Sequence, residues 1–226
     1  MKVVILAAGR GERMSPLTDT IPKPLLKVGG KTFLDHILSS LPRSVSEVIL
    51  VIGYKGGQIR KYIGKKYGSK NIFYVMQRER KGTGHGLMLT KPFFKEHERF
   101  FIIYGDEPPT RGEIRACLRH RYSWMCREVT DPAVPVGVVK IGKNKIITGV
   151  IERPLKQVRP CISGGGVFLV DSDIFRFAPT LHRTGEYYLT SMMNEFLKYH
   201  KVYATKGRKD LYFHSLEDID RHQVRI

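Results

Sequence analysis

With 226 residues, 42% hydrophobic and 27% charged, the chain is long enough for one sizeable core and has the balance of a soluble globular domain. Lys and Arg number 39 against 21 Asp and Glu, a formal charge of +18, which suits polyanionic ligands. The basic residues are spread along the chain, and the clusters Arg78 to Lys81 and Arg111 to Arg121 are interrupted by acids. Weak, salt-sensitive nucleic-acid binding is compatible with this charge, but no specific nucleic-acid partner is expected. Cys117, Cys126 and Cys161 form no CxxC pair, which argues against a disulfide framework or a structural zinc site and suits a reducing cytosol. No stretch is apolar and long enough for a membrane span or a signal segment, so a cytoplasmic protein with no membrane partner is expected.

The first element is an apolar run, Val3 to Ala7, that reads as a strand buried on both faces. Ala8-Gly9-Arg10-Gly11 then removes side-chain bulk where the strand ends, so backbone N–H groups can approach a ligand closely. Arg13 and Lys23 add two cations, the second held between Pro22 and Pro24. Such a turn with two cations suits a triphosphate. Two better-known phosphate motifs fail. Met14 stands where the dinucleotide fingerprint needs its third glycine, and Leu25 stands where a P-loop ending at Gly30-Lys31-Thr32 needs its first. Gly29-Gly30 reads as a turn before a helix.

Leu6-Ala7-Ala8-Gly9-x-Gly11-x-Arg13-Met14-x-Pro16-Leu17-Thr18, followed by Pro22-Lys23-Pro24-Leu25-Leu26, resembles the signature of the nucleoside-diphosphate-sugar pyrophosphorylases, the sugar-1-phosphate nucleotidyltransferases. The resemblance implies one doubly wound α/β domain over 1–226. Its mostly parallel mixed sheet would be Rossmann-like, of the GT-A-like kind, with a nucleotide-binding half at 1–110 and a sugar-phosphate-binding half at 111–226. It also implies Mg²⁺, with a nucleoside triphosphate and a sugar 1-phosphate as substrates. Ala8, Gly9 and Gly11 would then hold the nucleotide, and Arg13 and Lys23 would be catalytic. An oligomer is compatible with it.

Further along, Thr32 can cap a helix carrying Phe33, Ile37, Leu38 and Leu41, in which His36 reads as a packed residue. Val48 to Ile52 reads as a strand, Gln58 to Tyr67 as a basic amphipathic helix and Asn71 to Met76 as a third strand. This alternation predicts parallel pairing, with ligands at the carboxyl ends of the strands. Gln77, then Gly82-Thr83 opening a helix, offers an amide and backbone groups suited to the edge of a base. The segment Gln77-x4-Gly82-Thr83-Gly84-His85 resembles the pyrimidine-reading segment of N-acetylglucosamine-1-phosphate uridylyltransferases, with His85 structural. UTP or dTTP is therefore expected over CTP.

Phe100 to Gly105 reads as a strand ending in Asp106, a carboxylate placed to ligate Mg²⁺ or else to cap the helix at Ile114 to Leu118. The resemblance implies the metal role. Trp124 to Thr130, Pro135 to Ile141 and Ile146 to Ile151 read as strands, the last two joined by a turn at Lys143-Asn144. By resemblance, Tyr104, Gly137, Glu152, Arg153, Ser163 and Gly164 line the sugar-phosphate pocket. Arg153 replaces the family's Lys, and the Ser163 segment lacks its usual Asn. Gly185 to Thr190 resembles another family segment, or reads simply as a helix start capped by Thr190. The family's second metal ligand falls near Tyr212, which carries no carboxylate, so Asp210 is expected to substitute, with His214 or no ligand as alternatives. Ser215-x-Glu217-Asp218 fits a capping box. Rival readings are cytidylyl or guanylyl transfer, another phosphorylated alcohol as acceptor, and a non-catalytic nucleotide-sugar sensor.

Overall fold

The computed structural model describes residues 1–156, 158–213 and 215–222. Its centre is a mixed sheet of β1 (Lys2–Ala7), β2 (Glu47–Ile52), β3 (Lys70–Met76), β4 (Arg99–Tyr104), β5 (Ser123–Val129), β6 (Val138–Ile141), β7 (Ile147–Ile151), β8 (Cys161–Asp171) and β9 (Tyr203–Lys206). The spatial order runs β7-β6-β8-β4-β1-β2-β3, with β5 paired to β8 and β9 to β5. Strand β1 lies parallel to both β2 and β4, and β2 parallel to β3. Strand β8 runs antiparallel to β4 and β5. The chain thus leaves β1 towards β2 and β3, then returns to its other side at β4. That reversal opens a crevice at the carboxyl ends of β1 and β4, where open α/β sheets bind ligands.

Among the described residues six helices of at least six residues flank the sheet: α1 (Phe33–Ser40), α2 (Gly56–Ile63), α3 (Thr83–Met88), α4 (Arg111–Leu118), α5 (Leu189–Tyr199) and α6 (Leu216–His222). The period of two along β1 divides the core. Val3, Ile5 and Ala7 pack with Leu34 and Ile37 of α1, Ile59 of α2 and Ile114 of α4. Val4 packs on the other face with Leu87 of α3 and with Met192 and Phe196 of α5. Such fully buried side chains contribute roughly 1.5–3 kcal/mol each, so covering both faces drives the doubly wound arrangement.

The expected elements are present with four differences. The basic helix is shorter than 58–67, because Gly64 adopts φ 71° and ends it, and Lys66–Tyr67 pairs back antiparallel on Lys70–Asn71. Strand β6 begins at Val138 rather than at Pro135, which has no N–H to give a ladder. Thr190 does not cap α5; the Leu189 N–H is satisfied by the Thr83 hydroxyl at 2.9 Å instead. Asp106 does not cap α4, where Thr110 and Glu113 form a reciprocal box. Equivalent boxes start α1 at Thr32 and Asp35 and α6 at Ser215 and Asp218, and His36 Nε2 lies 2.8 Å from the Val28 carbonyl.

Candidate active site

A cavity of about 750 Å³ occupies the crevice. On the side expected to take the nucleotide, β1 gives way to a loop whose Gly9 has open space where a Cβ would stand. Gly11 has φ 70°, and a Cβ there would lie 3.0 Å from that of Lys23, so the missing side chain lets the lysine pass. Lys23 is buried, and its ammonium meets Asp106 Oδ2 at 2.5 Å. Asp106 follows Gly105 just beyond β4 and is part-exposed on the cavity wall. Desolvation and the charge of Arg153 lower the Arg13 pKa, while Asp106 pulls it back up. Glu12 and Arg80 meet at 3.3 Å across the mouth.

Gln77 also lines the cavity but is almost fully buried. Its amide nitrogen donates to the Gly82 carbonyl at 3.0 Å and meets His85 Nδ1 at 3.1 Å. Both amide hydrogens are engaged within the protein, so the side chain braces the Gly82 corner. His85 has the structural role expected of it. The corner is held from the far side by the Tyr187 main chain, whose N–H donates to Lys81 O at 2.8 Å and whose carbonyl accepts from Gly84 N at 2.7 Å.

The residues expected to take the sugar phosphate, Gly137, Glu152, Arg153, Ser163, Gly164 and Tyr104, all line the same cavity. Burial raises the Glu152 carboxyl above the usual range, against the Thr190 hydroxyl that donates to it at 2.9 Å. Desolvation, then the Glu152 charge, pushes the Tyr104 phenol well up. Arg153 lies over the Tyr188 ring at 5.4 Å. The Gly164-Gly165-Gly166 run has a packing cause. A Cβ at Gly164 would stand 2.1 Å from the Trp124 ring, and one at Gly166 would stand 2.8 Å from Tyr104. Trp124 Nε1 donates to Gly165 O at 2.8 Å, which fixes the indole.

Every residue assigned to the nucleotide or sugar phosphate by sequence lines this cavity, together with Arg13, Lys23 and Asp106. Asp210 does not. Its oxygens accept from the Thr130 N–H and hydroxyl, both at 2.8 Å, so this expected metal ligand is instead a tie between the 207–210 turn and the end of β5. His214 lies outside the described residues. Sequence reasoning missed the Glu107–Arg127 pair. Arg127 Nη2 donates to Glu107 Oε2 at 2.7 Å, Gly166 N–H donates to the same carboxylate at 2.9 Å, and Arg127 Nη1 donates to the Leu211 carbonyl. Burial lifts the Glu107 carboxyl against the pull of Arg127. The available signal was an arginine inside the apolar run of β5, which needs a partner when buried.

Comparison with known proteins places the chain in a family. The chain is 27% identical over 207 residues to the bifunctional protein GlmU of Methanococcus maripaludis strain C7, covering 90% of this chain and 49% of that protein. It is 30% identical over 207 residues to the bifunctional protein GlmU of Psychrobacter arcticus, covering 85% and 44%. The chain thus spans about half the length of these curated relatives. A crystal structure of UDP-glucose pyrophosphorylase with UDP-glucose shares the fold, with a TM-score of 0.82, 18% identity and coverage of 99% and 97%. So does a putative glucose-1-phosphate thymidylyltransferase from Bacillus anthracis in complex with a sucrose, with a TM-score of 0.82, 23% identity and coverage of 100% and 94%. The family model described as nucleotidyl transferase matches residues 2–222, and the chain belongs to the nucleotidyl transferase family.

Proposed function

We propose that the chain transfers a uridylyl or thymidylyl group from UTP or dTTP to a sugar 1-phosphate, releasing pyrophosphate. The observation that carries this reading is the Lys23–Asp106 contact at 2.5 Å, set beside the Gly9–Arg13 loop and opposite Glu152 and Arg153 in one cavity. A phosphate oxygen of the sugar 1-phosphate attacks the α-phosphorus in line. The new P–O bond forms as the bond to the β-phosphate breaks, and the electron pair leaves with pyrophosphate. The nucleophile is already anionic, so no side chain has to remove a proton. Positioning and charge neutralisation supply the catalysis.

The family implies Mg²⁺, and the residues fit one ion. Asp106 is a hard-oxygen donor on the cavity wall whose charge Lys23 partly balances, and Mg²⁺ binds through one or two carboxylates plus substrate phosphates. Asp106 would hold it with the triphosphate oxygens, and the bound ion would neutralise charge on the departing pyrophosphate. Arg13 and the N–H groups of the Gly9–Gly11 loop hold the β- and γ-phosphates. Lys23 and Arg153 align the two reacting phosphates from opposite sides, and Glu152 accepts hydroxyl hydrogens of the sugar. The main chain at Ala8 and at the Gly82 corner braced by Gln77 reads the base.

The test is magnesium-dependent pyrophosphate release across nucleoside triphosphates and common sugar 1-phosphates. UTP or dTTP should exceed CTP by roughly 10- to 100-fold in kcat/KM, the effect of leaving one buried polar group of the site unpaired. A best substrate of ATP, GTP or CTP overturns the base assignment. No turnover with any pair favours the non-catalytic sensor.

A further inference from the structure

At the end of the sheet away from the cavity, four side chains converge that the proposed reaction does not use. Asp171 ends β8 opposite Arg99 at the start of β4, and it is fully buried. Asp173 follows in the next turn, His97 lies in the loop before β4, and His200 closes α5. The ligand atoms of His97, Asp171 and Asp173 all lie within 4.8 Å of one another. His97 Nδ1 is 3.4 Å from Asp173 Oδ1, and His200 Nε2 is 3.5 Å from Asp173 Oδ2.

These separations are long for N–H···O hydrogen bonds, which cluster between about 2.7 and 3.2 Å. Two donors each about 2.1 Å from one ion at a tetrahedral angle stand about 3.4 Å apart. Supporting contacts hold the cluster in place. Tyr122 O–H donates to Asp171 Oδ2, and the Asp173 N–H donates to Asp171 Oδ1 at 3.1 Å. The His200 ring is clamped between Phe196, with centroids 4.1 Å apart, and the edge of Tyr122 at 4.9 Å. Outer contacts of this kind orient metal ligands. Two adjacent carboxylates also favour a cation, and the described side chains offer Arg121 at 4.0 Å from Asp171 and the imidazoles of His97 and His200 at 3.4 and 3.5 Å from Asp173.

We propose that His97, Asp171 and Asp173, with His200 behind the second Asp173 oxygen, bind one divalent transition-metal ion of the Zn²⁺ class. The mixed imidazole and carboxylate set favours such an ion over Mg²⁺ or Ca²⁺, which take oxygen alone. The ion would fasten the His97 loop to the end of β8 and to α5, a stabilising role separate from nucleotidyl transfer.

The experiment is calorimetric titration of chelator-treated full-length protein with Zn²⁺ at neutral pH, with Mg²⁺ as the comparison ion. Parallel measurements follow the Tm and the visible absorption of a Co²⁺-loaded sample. The expected result is one equivalent of Zn²⁺ bound with a raised Tm. His97→Ala and Asp173→Asn should each weaken binding at least ~10-fold and remove the Co²⁺ bands, while Asp106→Asn retains both. Absence of binding up to about 100 µM Zn²⁺, a weak affinity on the usual scale, overturns the proposal. Unchanged binding in His97→Ala does so too, as does Mg²⁺ binding as well as Zn²⁺ there. The His97 side chain is 68% exposed, so its removal costs no core packing, and His97→Asn, which tolerates the φ of 55° at this position, decides the matter where His97→Ala or Asp173→Asn does not fold.

Discussion

The nucleotide side of the cavity and its sugar side are both rich in glycine, yet the missing side chains serve different ends. At Gly9 a Cβ would meet nothing within 4 Å, whereas at Gly164 it would run into the Trp124 ring at 2.1 Å. The first glycine keeps room for a ligand, and the second keeps room for the protein. The charges differ likewise. Arg13 and Lys23 sit among backbone N–H groups on the nucleotide side, while Glu107, Arg127, Glu152 and Arg153 form a web of paired or partly buried charges on the other. In the proposed reaction one side holds phosphate, and the other is organised first to hold itself together.

The largest effects should come from the charged centre shared by the two sides. Asp106→Asn is nearly isosteric and should lower kcat/KM about 10³-fold, at the upper end for losing one preorganised electrostatic group, with an unchanged circular dichroism spectrum. Activity within tenfold of the parent would remove Asp106 from the mechanism. Lys23→Ala should lower kcat/KM by about 10², since Pro22 and Pro24 hold this buried ammonium against Asp106. Near-normal turnover by a folded variant would leave the lysine a structural ion-pair partner.

A paired substitution tests the glycine contrast directly. Gly164→Ala should destabilise the fold by about 1–3 kcal/mol through overpacking on Trp124, read as a lowered Tm, and the same substitution should cost less when made in a Trp124→Leu background than in the parent. Gly9→Ala should leave Tm unchanged and raise the KM for the nucleotide about tenfold, or ~1.4 kcal/mol. Equal Tm changes in the two variants would erase the distinction between the sides.

The smallest effect concerns pH. Burial raises the Glu152 carboxyl, so as pH falls it takes up a proton earlier than an ordinary carboxylate and loses the charge that strengthens its hydrogen bonds from a sugar hydroxyl. kcat/KM for the sugar phosphate should therefore fall by a few-fold on the acid side, and Glu152→Gln should lower the plateau while flattening that limb. The same acid limb in the variant would assign the titration elsewhere.

The same contrast explains what could be read from sequence. Ala8 to Lys23 and Gly105-Asp106 are short local segments whose residue types state their chemistry, and the parallel strands β1 to β4 follow from apolar runs of ordinary length. Asp210 was misplaced because the position of its turn depends on Thr130, 80 residues away. The bracing role of the Gln77 amide was not legible because its partners, Gly82 O and His85, become neighbours only when the corner closes against Tyr187. Glu107 with Arg127, and Gly164 with Trp124, are likewise pairings across strands that only the fold brings into register.

Strand β8 sets a distance between the two ends of the molecule. From Ser163 at the cavity to Asp171 at the far rim is eight residue steps, or about 26 Å at ~3.3 Å per residue. At an effective dielectric constant of ~20, two unit charges that far apart interact by only about 0.6 kcal/mol. A charge gained or lost at the rim, by mutation or by an ion, is therefore weakened by distance before it reaches the cavity. The rim can be redesigned for heat resistance while leaving the electrostatics of the cavity as they are.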